Sequence, residues 1–254
     1  MLKAVIFDMD DTLIDWDSRE MNWREYDREH LRGVFEYVTR ELHPLADFEA
    51  FVRAAQTRTE MDWLEAQSSL RAPNLGRTLV ETLAEMGVPG NLLEAGRCLR
   101  AYDWQGVPGA RLFPEVPEVV RRLRSEGLRL GIITNAYQPM WAREHEMERL
   151  GLPPDLFDCR VSSADVGYLK PHPAVFEHAL ACLEAEPEQA VFIGDDPRCD
   201  IVGAQSVGMR AILRVRPEAP IGSWGLIGPD GVIRNLNELP TYLDTWFPGW
   251  RNGA

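Results

Sequence analysis

The sequence predicts an α/β fold: a parallel sheet core whose first strand is separated from the others by an inserted all-helical block. Three observations predict it. An apolar run, Ala4-Val5-Ile6-Phe7, ends abruptly in the acids of Asp8-Met9-Asp10-Asp11-Thr12. From about residue 106 onward, short apolar runs alternate with amphipathic stretches, the texture of strands and crossover helices. Between the two, residues 16–105 show only the three-and-four apolar spacing of helices.

In chain order, Ala4–Phe7 reads as a short buried strand. Leu31, Val34, Phe35, Val38 and Leu42 form one helical stripe, and Phe48, Phe51, Val52 and Ala55 a second. Leu79, Val80, Leu83 and Met86 give a third, and Leu92, Leu93, Ala95, Cys98 and Leu99 a fourth. The block therefore holds four or five helices, with Ser68 to Arg77 as a loop between two of them. A helix through Val116, Val119, Val120 and Leu123 stops at Gly127. Then follow a strand over 128–134, a helix over 139–150, a strand near 157–162, and a helix with Phe176, Ala179, Leu180 and Leu183. A strand over 190–194, a helix through 201–207 and a strand over 211–215 close the series. Such alternation implies right-handed parallel crossovers. The tail turns at Gly228-Pro229-Asp230-Gly231 into a short strand, then a helix over 235–243. Its Trp246-Phe247-Pro248-Gly249-Trp250 either packs on the core or makes a dimer contact, so monomer and homodimer both stay open.

Composition narrows the functional classes. The chain has 254 residues, 45% hydrophobic and 26% charged, enough for a core domain with a smaller insert. No apolar run approaches the roughly 20 residues of a membrane span, and the N-terminus shows no signal peptide. The net charge of −13 argues against nucleic acid or an anionic membrane as partner. Any phosphate site must then be locally cationic. Cys98, Cys159, Cys182 and Cys199 have no metal-type spacing, and the 5 histidines do not pair with them, which fits a reducing cytoplasm.

Four stretches carry chemistry. In an open α/β sheet, ligands bind beyond the carboxyl ends of the strands, and there Asp8 and Asp10 stand two residues apart. Two carboxylates about 4 Å apart repel by roughly 4 kcal/mol at an effective dielectric of 20. They sit on a solvated turn, share a proton, or surround a cation. The strand Leu130-Gly131-Ile132-Ile133 ends in Thr134-Asn135, either a helix cap or a pair of phosphate donors. Lys170 precedes Pro171-His172-Pro173, which fix the approach to a helix; a solvated surface lysine is the alternative. Val191-Phe192-Ile193-Gly194 ends in Asp195-Asp196, with Asp200 following and then Ile201-Val202-Gly203-Ala204. These are hard oxygen donors suited to Mg²⁺, or an acidic loop in which Asp196 caps the next helix.

In this order, the four stretches resemble the motifs of the haloacid dehalogenase superfamily, a family mostly of magnesium-dependent phosphatases. The resemblance covers residues 1–14 and about 106–215, and the helical block matches the family's helical cap in position, size and type. Asn135-Ala136 departs from a frequent Asn-Gly, and Asp196 stands where many relatives have Ser or Thr. The resemblance implies a Rossmann-like parallel sheet core, residues 1–15 and 106–254, with an all-helical cap, residues 16–105.

The resemblance also implies a mechanism. Asp8 attacks phosphorus and forms an aspartyl-phosphate; Asp10 protonates the leaving oxygen and then activates water. Mg²⁺ binds through Asp8, the Asp10 carbonyl and Asp195, with Asp200 binding it or orienting its waters. Thr134, Asn135 and Lys170 hold phosphoryl oxygens, and Thr12 steadies the turn. Asp10 favours phosphomonoester hydrolysis over 2-haloacid dehalogenation, because dehalogenases lack that second aspartate. Phosphomutase-type transfer stays open, as does a catalytically silent binding protein. The absence of Lys between Leu13 and Tyr102 counts against a Schiff-base cap. The expected substrate is a small phosphorylated metabolite. Trp16, Trp23, Trp63 and Trp104 fill the cap or stack on it; Tyr137, Gln138, Arg71 and Arg77 are candidates to touch it.

Overall fold

The computed structural model describes residues 1–16, 22–216 and 228–252. Its centre is a parallel sheet of β1 (Ala4–Phe7), β4 (Arg129–Thr134), β5 (Cys159–Ser162), β6 (Ala190–Gly194), β7 (Arg210–Arg214) and β8 (Gly231–Ile233). The order is β5-β4-β1-β6-β7-β8, with every pairing parallel. The predicted Rossmann-like class with an inserted helical cap is the class observed.

The first strand is central. Phe7 lies level with Ile132 of β4 and Ile193 of β6. Thr134 at the end of β4, and Asp8 and Asp195 just past β1 and β6, are therefore delivered to one edge. Buried on both faces, β1 reads as continuous apolar sequence rather than alternation. Val5 and Phe7 face a cluster completed by α5 (Val116–Ser125), α6 (Met140–Arg149) and α10 (Leu239–Trp246). Ala4 and Ile6 face the opposite cluster, with α8 (Pro173–Cys182) and α9 (Val202–Ser206). Phe247 and Trp250 join the first cluster, so the tail rings pack on the core. The short α7 (Ser163–Val166) follows β5 directly.

The helical block consists of α1 (Trp23–Glu41), α2 (Phe48–Ser69), α3 (Leu75–Glu85) and α4 (Ala95–Tyr102). Leu31, Val34, Val38, Phe51, Leu79, Leu83 and Cys98 converge in a third apolar cluster. Asn22, Asp47 and Asn74 cap the first three helices through their side chains. Two boundaries differ from expectation. Arg77 is not in a loop: Asn74 caps α3 and places Arg77 in its first turn. Leu92 and Leu93 precede α4, because Gly90–Leu92 forms a separate 3₁₀ turn. The sequence also gave no sign of β2 (Ile14–Asp15) and β3 (Arg111–Leu112), whose antiparallel pairing joins the two ends of the helical insert. Two residues per strand carry no readable periodicity. No described helix is long and apolar enough to cross a membrane, and all four cysteines are free. The tail expectations at 217–227 lie outside the described residues.

Candidate active site

At the sheet edge, Asp8 and Lys170 are both buried. The Lys170 Nζ donates to Asp8 Oδ1 at 2.5 Å and to Asp200 Oδ1 at 2.7 Å. Asp195 completes the group: Asp8, Asp195 and Asp200 each offer a carboxylate oxygen within 4.8 Å of the others. The solvated-lysine alternative is thereby excluded. Gly194 makes room for this arrangement, since a Cβ there would lie 2.2 Å from Asp200 Oδ2.

The electrostatics ask for more positive charge. Burial, together with the charges of Asp200, Asp195 and Asp10, holds the Asp8 carboxyl well above its usual range against the pull of Lys170. Burial and Asp200 push Asp195 up to about 7. Burial opposes the charge on Lys170, but Asp200 and Asp8 prevail and raise its pKa. Three carboxylates against one ammonium, all hard oxygen donors, fit a divalent cation such as Mg²⁺. Asp200 has both oxygens engaged, Oδ1 with Lys170 and Oδ2 with the Asp196 N–H at 3.0 Å. It suits orienting the cluster better than direct ligation. Asp196 is a helix cap, accepting from the N–H groups of Arg198 and Cys199.

The Asp10 carboxylate lies outside that acidic cluster, so only its carbonyl stays available as the expected ligand. Its Oδ2 accepts from Thr134 Oγ1 at 3.0 Å, and its Oδ1 accepts from Arg143 Nη2. Sequence reading missed Arg143, a buried residue on α6. Its Nε lies 3.2 Å from Glu146 Oε2, without the alignment of a hydrogen bond. Glu146 in turn accepts from Trp104 Nε1 at 3.1 Å and Val107 N at 3.4 Å. An i,i+3 Arg–Glu pair on a polar-looking helix reads as surface, so no sequence signal could have singled it out.

Asn135 lines the cavity, and its side-chain amide is engaged with neighbouring backbone and hydroxyl groups. Its Oδ1 accepts from the Lys170 N–H at 2.7 Å and from Ser163 Oγ at 2.8 Å, and its Nδ2 donates to the Lys170 carbonyl at 3.1 Å. It positions the lysine. Thr12 has a buried hydroxyl with no hydrogen-bond partner among the described residues, while its carbonyl accepts from Arg214 at 2.9 Å. Arg214 therefore steadies the turn. Asp11, at φ 57, pairs with Arg216 at 2.5 Å.

Above Asp10 lies a cavity of about 440 Å³ between the helical block and the sheet edge. Tyr137 and Gln138 line it, as do Trp16, Trp23, Trp63 and Trp104. Arg71 and Arg77 are exposed and do not: Arg71 bridges to Tyr168, and Arg77 lies 4.0 Å from Asp62.

Comparison with known proteins agrees with this geometry. The family model for haloacid dehalogenase-like hydrolases matches residues 2–208. A glyceraldehyde 3-phosphate phosphatase of Methanothermobacter thermautotrophicus is 32% identical, over 84% of this chain and 85% of its own. A phosphoserine phosphatase of Thermus thermophilus is 27% identical, over 94% and 98%. Among solved structures, a 2-haloacid dehalogenase of Pseudomonas syringae superposes with a TM-score of 0.62 at 30% identity, covering 97% of this chain and 100% of that one. With its motifs at one sheet edge and the family model spanning most of its length, this chain belongs to the haloacid dehalogenase-like hydrolases.

Proposed function

We propose that this chain is a Mg²⁺-dependent phosphomonoesterase, acting on a small phosphorylated metabolite through an aspartyl-phosphate on Asp8. One observation carries the reading: the ammonium of Lys170 bridges Asp8 and Asp200 beside Asp195, while Asp10 is held separately at the cavity floor. The curated relatives named as phosphatases support it.

Asp8 is the nucleophile, forming a bond to phosphorus as the bond to the leaving oxygen breaks. Asp10 gives that oxygen a proton. Asp10 then takes a proton from water, which attacks phosphorus, releases phosphate and restores Asp8. Asp10 keeps free lone pairs on both oxygens for this proton while it accepts from Thr134 and Arg143. The neutral Thr134 hydroxyl is the weaker partner, the Arg143 bond being charge-assisted. Lys170 has a third ammonium proton for a phosphoryl oxygen. Asp8, Asp195 and the Asp10 carbonyl would hold Mg²⁺, with Asp200 orienting them. When bound, it supplies positive charge against the phosphoryl oxygens. We divide the chain into a core, residues 1–15 and 106–254, and a cap, residues 16–105, and place it in the cytoplasm.

The similarity to a solved 2-haloacid dehalogenase favours a second reading. The two separate in one assay. The purified protein should release phosphate from p-nitrophenyl phosphate with Mg²⁺, lose this in chelator, and release no halide from 2-chloropropionate. Asp8→Asn should abolish turnover, and wild-type turnover in that variant would sink the nucleophile assignment. Recovery of all phosphoryl groups as inorganic phosphate distinguishes hydrolysis from transfer within a sugar.

A further inference from the structure

We propose that the cavity above Asp10 receives an organic cation, so that the substrate is the phosphomonoester of an amino or quaternary-ammonium alcohol. The inference rests on the phosphatase reading of the same site, because Asp10 at the cavity floor assigns this space to the leaving group.

The walls are indole and phenol rings in two groups. Trp16, Trp23, Tyr26 and Trp104 form a continuous series with centroids 5.6, 6.3 and 5.7 Å apart. Trp63 and Tyr137 form another pair, 6.4 Å apart. Ring faces attract cations, Trp most strongly. The site already shows this, since the Arg143 guanidinium lies 5.6 Å from the Trp16 ring centroid and 5.9 Å from that of Trp104.

The charges select among ligands. Asp10, Asp27 and Glu60 line the cavity against two guanidiniums, Arg24 and Arg143. The buried Arg143 is held by Asp10, whereas Arg24 pairs with Glu60 at 2.6 Å on the exposed side, their side chains 71% and 53% exposed. Among the described residues, Asp27 accepts from the neutral Tyr102 hydroxyl at 2.6 Å, with the Gln56 amide and His30 near it. Burial accordingly raises its carboxyl above the usual range. A second phosphate or carboxylate beside Asp27 would meet its carboxyl, with Arg143 held by Asp10 and Arg24 on the exposed side of the cavity. An ammonium group would meet aromatic faces and the Asp27 carboxyl.

The test uses the full chain with Mg²⁺. Phosphocholine and phosphoethanolamine are compared with 3,3-dimethylbutyl phosphate, which has the shape of phosphocholine without its charge, and with 3-phosphoglycerate and nucleoside monophosphates. The expected result is a kcat/KM at least about tenfold higher for the cations than for the neutral isostere, a ratio that Asp27→Asn brings towards one. Independently of turnover, choline should change the tryptophan fluorescence saturably and 3,3-dimethylbutan-1-ol should not. Trp23→Leu, at a residue 48% exposed, should weaken choline binding without threatening the fold. Equal rates for cation and isostere, or a preference for nucleotides or phosphoglycerate, overturns the inference. If p-nitrophenyl phosphate is not hydrolysed at all, the phosphatase reading fails instead, and choline binding still reports on the cation site.

Discussion

Lys170 shows how much one side chain can decide. Of the 27 basic residues only Lys3 and Lys170 are lysines; elsewhere this chain uses arginine. A compact ammonium fits between two carboxylates at 2.5 and 2.7 Å, whereas a planar guanidinium needs a wider, forked partner. Lys170→Arg should therefore fail to restore the activity lost in Lys170→Met. Lys170→Met should also destabilise the metal-free protein by about 3–5 kcal/mol, because it leaves buried carboxylates uncompensated. Chemical denaturation in chelator measures this; a loss below 1 kcal/mol would mean the carboxylates are neutral without it. The motif containing Lys170 was legible in the sequence, but its double contact was not. Arg143 was not legible at all: its partner Asp10 lies 133 positions away, and no local pattern encodes such a distance.

At the level of elements, close approach between helix and loop sets the site. A Cβ on Gly203 would fall 2.4 Å from the Phe176 ring and 3.0 Å from the Pro171 backbone. Gly203→Ala should thus push α9 off α8 and destabilise the protein by about 1–3 kcal/mol, read as a lower denaturation midpoint; an unchanged midpoint would mean the ring moves freely. A second contact ties α5 to β4. Asp158 Oδ2 accepts from Leu130 N at 2.9 Å and Arg124 Nη1 at 2.8 Å. Burial pushes the Asp158 carboxyl up, but these donors prevail and hold it below the usual carboxylate range. A carboxyl lowered on folding stabilises above its unfolded value, about 3.9, and that contribution is lost as pH falls through the folded value. Asp158→Asn should lower stability at pH 7 and flatten its decline under acid, as thermal melts across pH 7 to 3 would show. Parallel curves for the two proteins would contradict this.

For the whole molecule, the proposed metal at the sheet edge would link folding to metal binding. A cation bound only by the folded chain stabilises by about 2.7 kcal/mol at a hundred times its dissociation constant. Mg²⁺ should therefore raise Tm in the absence of substrate, and Asp195→Asn should remove most of the shift. An equal shift in that variant would place the ion elsewhere. The cavity belongs to this scale as well. Its rings come from the residue after β2, α1, α2, the end of α4, the segment entering β3 and the loop after β4, so it exists only when the helical block lies over the sheet.

The sequence by itself determined the sheet, the helical insert and the carboxylates at the strand ends, because buried strands and amphipathic helices write their periodicity locally. Of the expected substrate contacts Tyr137, Gln138, Arg71 and Arg77, the first two line the cavity. Only the tertiary structure decided that Asn135 contacts Lys170, that Arg71 and Arg77 stand clear of the cavity, and that Asp27 faces it beside the Tyr102 hydroxyl. Each of these depends on which distant groups are brought within a few ångströms, and residue spacing along the chain does not carry that information.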